Sequence, residues 1–364
     1  MKKRLLIAAV CVSMIASLAG CSGSGGSAET GEASVEENTD AEAAGGEETA
    51  DSGGGYTIGF SNFSLTDSWR VQMEAEFEYH AEQLKEQGVI DDYVMLQANG
   101  DQSKQISDIS DLITMGCDAI VVTCITPDGL NSIIEEARNE GIVVVNFNQS
   151  CTAEVDCRVV VSDYELGYTS GSWLGERIPE NGKVVVLDGT EGNQINADRH
   201  NGGVDGLMEA CPTAEVIATL NLDWDYATAK AAMEDILSAY PEIDGILSQG
   251  GAMTQAAIDA YIDAGRDFVP MTGEASNGFL RVWLENEDKG LETMAFTNPT
   301  YISAIALDYA IDILNGEEVE QEIVLEEDPV TIDTAADFYR EDLNDNFWVH
   351  TYLPDDILQE LFPN

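Results

Sequence analysis

Polar and aromatic side chains follow the β-rich runs of this sequence. Carboxylates accept hydrogen bonds from hydroxyl groups, while Arg and amide groups donate hydrogen bonds to hydroxyl oxygens. Indole rings pack against flat C–H faces. A pyranose or furanose presents both kinds of surface, so the set predicts a site for a small sugar. The residues are Asp67, Trp69, Arg70, Asn148, Gln149, Asp163, Arg199, Trp224 and Glu274.

Each of these side chains also has an ordinary structural interpretation. Asp67 can cap a helix, Trp69 can belong to a core stripe, and Arg199 can form a surface ion pair. A second functional interpretation is a net-negative cleft for a cation such as an amino sugar or a polyamine. The acidic residues that favour it are Asp67, Asp163, Asp223, Asp225 and Glu274.

Enzyme signatures are absent from the sequence. It contains no G-x-S-x-G elbow, no P-loop, no G-x-G-x-x-G after a strand and no H-E-x-x-H. The three histidines, His80, His200 and His350, are scattered along the chain. We therefore predict no catalytic residue, no metal and no cofactor, and a secreted enzyme is the least favoured class.

Short β-rich runs alternate with longer helical patterns from Tyr56 onwards. Ala119–Val122 and Ile142–Val145 contain no polar residue, which is typical of strands buried on both faces of a parallel sheet. Ligands bind at the carboxyl ends of such strands, and Glu274 follows a strand predicted over Phe268–Thr272. This alternation of β-rich runs and helical patterns predicts about ten βα units, which fit either two α/β lobes or one closed barrel.

Several segments resemble one family. Ile58–Asn62 and Asp67–Arg70 are similar to the first strand and ligand loop of the ribose-binding-protein-like class, the type I periplasmic sugar-binding proteins. Gly116–Val122 resembles that family's G-x-D-A-I strand entry, and Ser162–Gly167 resembles its hinge segment. Arg199–Gly202 matches its R-x-x-G motif.

The resemblance implies roles for several residues. Arg199 falls on an arginine that usually bonds ligand hydroxyls, and Trp224 falls on an aromatic platform. Glu274 falls on an Asp that usually accepts a hydrogen bond from the sugar. Trp69 and Arg70 together resemble members that bind galactose in its furanose form.

The chain also departs from the family pattern. Asn148 and Gln149 stand where the family often has Asp-Arg, and Gly250–Gly251 stand where it often has Asn-Asp. Phe296, with Asn298 nearby, stands where a Gln is frequent. These departures do not change the predicted fold, but they leave the identity of the ligand open.

The implied fold is α/β, with two Rossmann-like three-layer lobes of parallel sheets joined by a three-crossing hinge. The crossings are expected near Val161–Asp163, Phe296–Asn298 and Val324–Asp328. A ligand in the cleft would favour a hinge-closed state, which the membrane subunits of an ABC transporter would recognise. Lobe one is predicted as 56–161 plus 297–324, and lobe two as 162–296 plus 325–364, in a monomer.

The first residues predict export and anchoring. A positive start is followed by the apolar run Leu5–Ala16 and by Leu18–Cys21, which resembles a bacterial lipobox. We expect 1–20 to be a lipoprotein signal peptide, Cys21 to carry the lipid, and 21–55 to be an acidic flexible tether. The protein would then lie on the extracellular face of the membrane. The alternative is an ordinary signal peptide with an incidental Cys.

The formal net charge is −52, which argues against nucleic acid and anionic lipid headgroups because both are polyanions. The export signal also excludes a cytoplasmic repressor with this ligand-binding fold. A sensor that reports to a membrane receptor kinase remains an alternative to a transport protein. Cys151 and Cys157 could form a disulfide, or the cysteines could remain free thiols.

Overall fold

The computed structural model of the chain describes residues 55–65, 67–326 and 328–364. The predicted signal peptide, the lipid site at Cys21 and all of the predicted tether except Gly55 lie outside these residues. Within the described ranges, no helix combines the length and the apolar character needed to cross a membrane.

The described residues form eleven β-strands and eleven α-helices. The strands are β1 (Tyr56–Asn62), β2 (Ile90–Gln97), β3 (Ala119–Val122), β4 (Val143–Phe147), β5 (Cys157–Val161), β6 (Lys183–Asp188), β7 (Glu215–Asn221), β8 (Gly245–Ser248), β9 (Met271–Glu274), β10 (Thr293–Phe296) and β11 (Glu322–Leu325). The helices are α1 (Ser68–Glu86), α2 (Gln102–Met115), α3 (Asn131–Asn139), α4 (Asp163–Gly175), α5 (Gln194–Ala210), α6 (Tyr226–Ala239), α7 (Gly251–Ala264), α8 (Asn277–Leu284), α9 (Ile302–Leu314), α10 (Ile332–Phe338) and α11 (Asp355–Leu361).

The strands form two separate parallel sheets. The first has the order β11-β5-β4-β3-β1-β2, and the second has the order β10-β9-β8-β6-β7. Every residue of Ala119–Val122 is buried, as its unbroken apolar run predicts. The prediction of two α/β lobes with parallel sheets is confirmed, and the closed barrel is wrong.

Each sheet is the middle layer of three. In the first lobe, one core contains Phe60, Phe77 and Phe147, and a second core contains Leu112 and Ile134. In the second lobe, one core is built around Tyr261, Phe279 and Trp283, and another around Leu174, Leu207 and Leu247. Helices therefore cover both faces of both sheets, which is why central strands such as β3 and β4 are buried and lack polar alternation.

The chain crosses between the sheets at three places. β5 ends at Val161 in the first sheet, and α4 starts two residues later and packs against α5, β8 and β9. β10 ends at Phe296 in the second sheet, and α9 packs against β3, β4 and β5 of the first. After β11, Val330 bridges back to Ala295 of β10.

One strand starts later than its sequence predicts. The predicted strand Phe268–Thr272 is observed as Met271–Glu274. Pro270 has no N–H to donate, so the pairing with β10 begins at Met271. Glu274 is therefore the last residue of β9 and lies at the carboxyl edge of the sheet.

Helices α4 and α5 pack backbone against backbone. A Cβ atom on Gly171 would lie 1.9 Å from the carbonyl oxygen of Gly203, which no real contact allows. A Cβ atom on Gly167 would lie 2.2 Å from the carbonyl oxygen of Arg199. Only glycine permits this approach, and the approach brings Arg199 of α5 to the first turn of α4.

Residues 328–364, the C-terminal segment, were predicted to pack on lobe two. Phe347 and Val349 do belong to the core around Trp283. Trp348, between them, instead packs against the core of the first lobe. The segment therefore contacts both lobes.

Candidate ligand-binding cleft

A cleft of about 590 Å³ lies at the carboxyl ends of the two sheets. Its volume is within the range that small-molecule sites occupy, about 300–1,000 Å³. Side chains from both lobes, from the second crossing and from the C-terminal segment line it. The predicted site residues among them are Asp67, Trp69, Arg70, Asn148, Arg199, Trp224, Glu274 and Asn298.

Arg199 lies at the floor of the cleft and is only 4% exposed. Its Nε donates to Asp163 Oδ1 at 2.7 Å. Its Nη1 donates to Glu274 Oε2 at 3.2 Å and to the carbonyl oxygen of Gln249 at 3.2 Å. The guanidinium also lies over the Phe296 ring, 4.9 Å from the ring centroid. These contacts hold the guanidinium in one orientation.

Burial governs the protonation of this cluster. It raises the pKa of Asp163 and of Glu274, and the neighbouring charge of Arg199 only partly opposes that rise. Burial alone would lower the pKa of Arg199, but Glu274 and Asp163 leave it above its ordinary value. The guanidinium is therefore a permanent cation between two acids that hold protons more readily than exposed carboxylates do.

Arg70 is the second buried cation of the cleft, with 7% exposure. Its guanidinium stacks over the Phe63 ring at 3.9 Å, and its Nη2 donates to Asn148 Oδ1 at 3.4 Å. Asp67 Oδ2 is 3.9 Å from its Nε, and burial lowers the pKa of Arg70. Its Nη1 has no hydrogen-bond partner among the described residues. This N–H group can donate to a ligand.

Trp69 serves the core and the cleft at the same time. Its ring packs in the core with Phe60, and its Nε1 donates to the carbonyl oxygen of Asn298 at 2.8 Å. The bond ties the first turn of α1 to the second crossing. Asn298 Oδ1 has no hydrogen-bond partner within the described ranges, so it can accept one from a ligand.

Trp224 adopts a backbone conformation that is rare for a bulky residue. Its φ is 54°, and Asp223 before it also has a φ of 54°. Cβ atoms on Gly189 and Gly250 would lie 2.1 Å and 2.8 Å from the indole, so these glycines leave room for the ring. Its Nε1 is without a hydrogen-bond partner in the part of the chain that the structure describes. Such strain is typical of residues held for a function.

Three of the predicted site residues do not line the cleft. Asp163 and Phe296 contact Arg199 from behind, so they can position it without reaching a ligand. Gln149 is buried and donates from Nε2 to the carbonyl oxygen of Ile125 at 3.0 Å. Its neighbour Asn148 lines the cleft, with a φ of 56°.

One side of the cleft was not predicted from the sequence. Asn344, Asn346 and Trp348 of the C-terminal segment line it, as do Leu361 and Phe362. The aromatic residues of this segment were visible in the sequence. Nothing in their spacing predicted that two of them, Trp348 and Phe362, line the cleft.

The five described cysteines are free thiols. Cys151 lies beside Cys124 and not in a bond with Cys157; a hydrogen bond with Cys124 lowers the pKa of Cys151 to about 7. No group of three or more His, Cys, Asp or Glu side chains in the described ranges is arranged to hold a metal ion.

Two parallel-sheet α/β lobes joined by three crossings, with a lined cleft between them, define a class of solute-binding proteins. The chain belongs to the periplasmic binding protein family. Its residues 58–318 match the family model described as a periplasmic binding protein domain. Membership carries a location outside the cytoplasm, either periplasmic or extracellular.

Individual relatives agree with this assignment. The ribose import binding protein of Bacillus subtilis (strain 168) is 24% identical over 269 residues, covering 74% of this chain and 85% of the relative. Two solved structures share the fold. One is the fructose-binding periplasmic domain of a hybrid two-component system, with a TM-score of 0.64, 23% identity and coverage of 77% and 92%. The other is the binding protein of the arabinose transporter of Shewanella sp. ANA-3 bound to arabinofuranose, with a TM-score of 0.67, 22% identity and coverage of 77% and 93%.

Proposed function

We propose that this protein captures a small neutral sugar in the cleft between its lobes and delivers it to the membrane subunits of an ABC importer. The observation that carries the proposal is a set of buried polar atoms that have no hydrogen-bond partner among the described residues and that belong to side chains lining the cleft. Arg70 Nη1 and Trp224 Nε1 are donors, and Asn298 Oδ1 is an acceptor. Hydroxyl groups of a sugar both accept and donate, so they can satisfy all three.

The carboxylates of the cleft favour a neutral ligand over a cation. Asp67 caps α1 by accepting from the backbone N–H of Arg70 at 2.9 Å, and Asp225 caps α6 by accepting from the backbone N–H of Thr228 at 2.8 Å. Glu274 is paired with Arg199. Three of the four acidic residues that line the cleft are therefore already engaged, and Asp223 is the fourth.

Relatives support a sugar as the ligand. They include a ribose import binding protein and the binding protein of an arabinose transporter. A fructose-binding domain of a two-component system has the same fold, which supports a sensor as the second candidate. Uptake of radiolabelled sugar by cells lacking this protein separates the two, because only a transport component is required for uptake.

The decisive experiment is a thermal-shift panel on residues 22–364. The panel contains D-ribose, L-arabinose, D-fructose, D-galactose, glucosamine and putrescine. A ligand at 100 times its Kd stabilises the folded state by about 2.7 kcal/mol, which raises Tm by a few degrees. One neutral sugar is expected to do so. If only the amines raise the Tm, the cationic alternative is supported. If none of the compounds raises the Tm of protein that was purified free of bound ligand, the proposal is overturned.

The same proposal includes a lipid anchor at Cys21 after removal of 1–20, with 21–55 as a tether and the folded part acting as a monomer. The lipobox-like Leu18–Cys21 supports it. Labelling cells with radioactive palmitate tests the anchor, and Cys21→Ser is expected to abolish the label and release the protein. Persistence of the label in Cys21→Ser would exclude this attachment site.

A further inference from the structure

The C-terminal segment is bound to the first lobe by buried hydrogen bonds. Gln72 exchanges two bonds with the backbone of Trp348: its Nε2 donates to the carbonyl oxygen at 2.9 Å, and its Oε1 accepts from the N–H at 2.9 Å. Glu76 Oε1 accepts from Thr351 Oγ1 at 2.6 Å and from the backbone N–H of Tyr352 at 3.2 Å. Gln72 and Glu76 are both buried on one face of α1.

The same segment is also hydrogen-bonded to the second lobe. The backbone N–H of Asn277 donates to the carbonyl oxygen of Phe347 at 2.7 Å, and its Nδ2 donates to the carbonyl oxygen of Leu343 at 3.0 Å. Arg281 donates to Asp345 through Nε at 2.9 Å and through Nη2 at 2.8 Å. Both anchoring side chains lie on α8.

These two sets of bonds fix the part of the segment that faces the cleft. Trp348 Nε1 donates to Ser68 Oγ at 2.8 Å, so its indole is held against the first turn of α1. Asn344 Oδ1 accepts from the backbone N–H of Asn346 at 2.9 Å, which orders the turn before it. The four residues that these bonds join line the cleft: Ser68, Asn344, Asn346 and Trp348. A ligand would meet an aromatic ring and amide groups that are already in place.

We propose that Asn346 and Trp348 form a third wall of the binding site and determine which sugars it accepts. This inference rests on the proposed sugar-binding function. The family model matches residues 58–318, so the wall lies outside the matched segment. A preorganised polar and aromatic surface contributes to specificity because little freedom is lost when the ligand binds.

The position of the wall indicates which part of a sugar it contacts. Arg199 is buried at the floor of the cleft, whereas Asn346 is exposed. The floor therefore holds the ring hydroxyls, and the third wall contacts the substituent that points towards the mouth. Hexoses carry an exocyclic hydroxymethyl group that the corresponding pentoses lack. The wall selects for or against that group.

The test compares matched sugars by isothermal titration calorimetry on residues 22–364. D-allose is D-ribose with a hydroxymethyl group on the pyranose ring, and D-galactose is related to L-arabinose in the same way. Asn346→Ala and Trp348→Phe are each expected to change the hexose-to-pentose affinity ratio about three- to tenfold, the effect of one hydrogen bond or ring contact. Asn346 is exposed, so its replacement leaves folding intact.

Asp345→Asn is the control, because Asp345 binds Arg281 and does not line the cleft. It is expected to lower stability while leaving the ratio unchanged. If the wild type binds a sugar normally and the hexose-to-pentose affinity ratio is unchanged in both Asn346→Ala and Trp348→Phe, the proposed role of the third wall is overturned while the proposed function stands. An equal change in all three variants also overturns it, since the segment would then act only structurally. Failure of the wild type to bind any of the four sugars overturns the proposed function itself.

Discussion

Arg199 Nε donates to Asp163 Oδ1 at 2.7 Å, and Asp163 is the first residue of α4, immediately after the first crossing between the lobes. The floor of the cleft is therefore joined directly to the hinge. A ligand hydroxyl that binds Arg199 also acts on the residue where the chain changes sheets.

We expect Arg199→Met to destabilise the protein strongly. The substitution leaves Asp163 and Glu274 buried without their cation, and removing one partner of a buried ion pair costs about 3–5 kcal/mol. Urea denaturation measures the loss. Arg177→Met is the matched control, because its pair with Glu292 is much more exposed than the pair of Arg199 with Asp163 and contributes at most about 1 kcal/mol. Equal losses in the two variants would contradict the buried cluster.

We expect Arg70→Met to lower ligand affinity without lowering the stability of the free protein. Its Nη1 is unpartnered and burial disfavours its charge, so removing it relieves a cost in the absence of ligand. A hydrogen bond to a charged group is worth about 1.5–3 kcal/mol, which corresponds to a loss of about ten- to a hundredfold in affinity. Calorimetry and thermal melts give the two values. A lower Tm with unchanged Kd would refute this role.

Packing of α4 against α5 predicts an unusual sensitivity to a single methyl group. Gly171→Ala places a Cβ atom 1.9 Å from the carbonyl oxygen of Gly203, so the helices must separate. Overpacking of this kind costs about 1–3 kcal/mol or more.

Gly203→Ala is the control in the same helix pair, because its Cβ would meet a movable Leu247 methyl group at 3.1 Å. It should cost clearly less in urea denaturation. The reverse order of stability would show that the helices are not packed as described.

The free energy of unfolding is expected to fall as pH rises above the ordinary carboxylate pKa values of about 4. Burial raises the pKa of Asp163, Glu274 and Glu76, so the folded state binds protons at pH values where the unfolded carboxylates, with pKa values near 4, do not. The stabilising contribution of protonation is lost as pH rises through the folded pKa values. Below about pH 4 the trend reverses, because Asp345, whose pKa Arg281 lowers, loses its pairing.

Glu76→Gln measures how much the carboxyl group of Glu76 contributes to this pH dependence. The variant cannot titrate at this site, so the slope of the free energy of unfolding against pH should become shallower. Urea midpoints between pH 5 and 8 at constant ionic strength provide the slope. Glu78→Gln, an exposed position on the same helix, should keep the wild-type slope. Identical slopes in all three proteins would contradict the assignment.

Local patterns were sufficient to predict the sheets. Ala119–Val122 is apolar throughout because it is buried on both faces, and Asp67 precedes α1 because its side chain caps the first turn. The start of β9 was predicted too early, because the apolar Phe268 and Val269 precede the strand while Pro270 prevents pairing before Met271. Apolar content alone does not define where hydrogen bonding begins.

The rest of the cleft depends on contacts that no local pattern encodes. Trp348 faces the first lobe while both of its neighbours face the second, and its partner Gln72 lies 276 positions away. Trp224 has a positive φ that its residue type disfavours. Long-range packing imposes both features, so they became visible only in three dimensions.

The C-terminal segment also has a consequence for synthesis. Residues 344–362 are added after all the strands of both sheets, yet they line the cleft and complete the core around Trp283. Chains generally fold from the N-terminus as they emerge, but this one cannot complete its cleft until these residues have followed the two sheets out of the ribosome. A chain that stops at residue 340 would contain the whole segment that matches the family model and still lack Phe347, Trp348 and Phe362. Such a fragment would present an open core for degradation and would not compete with the complete protein for its ligand.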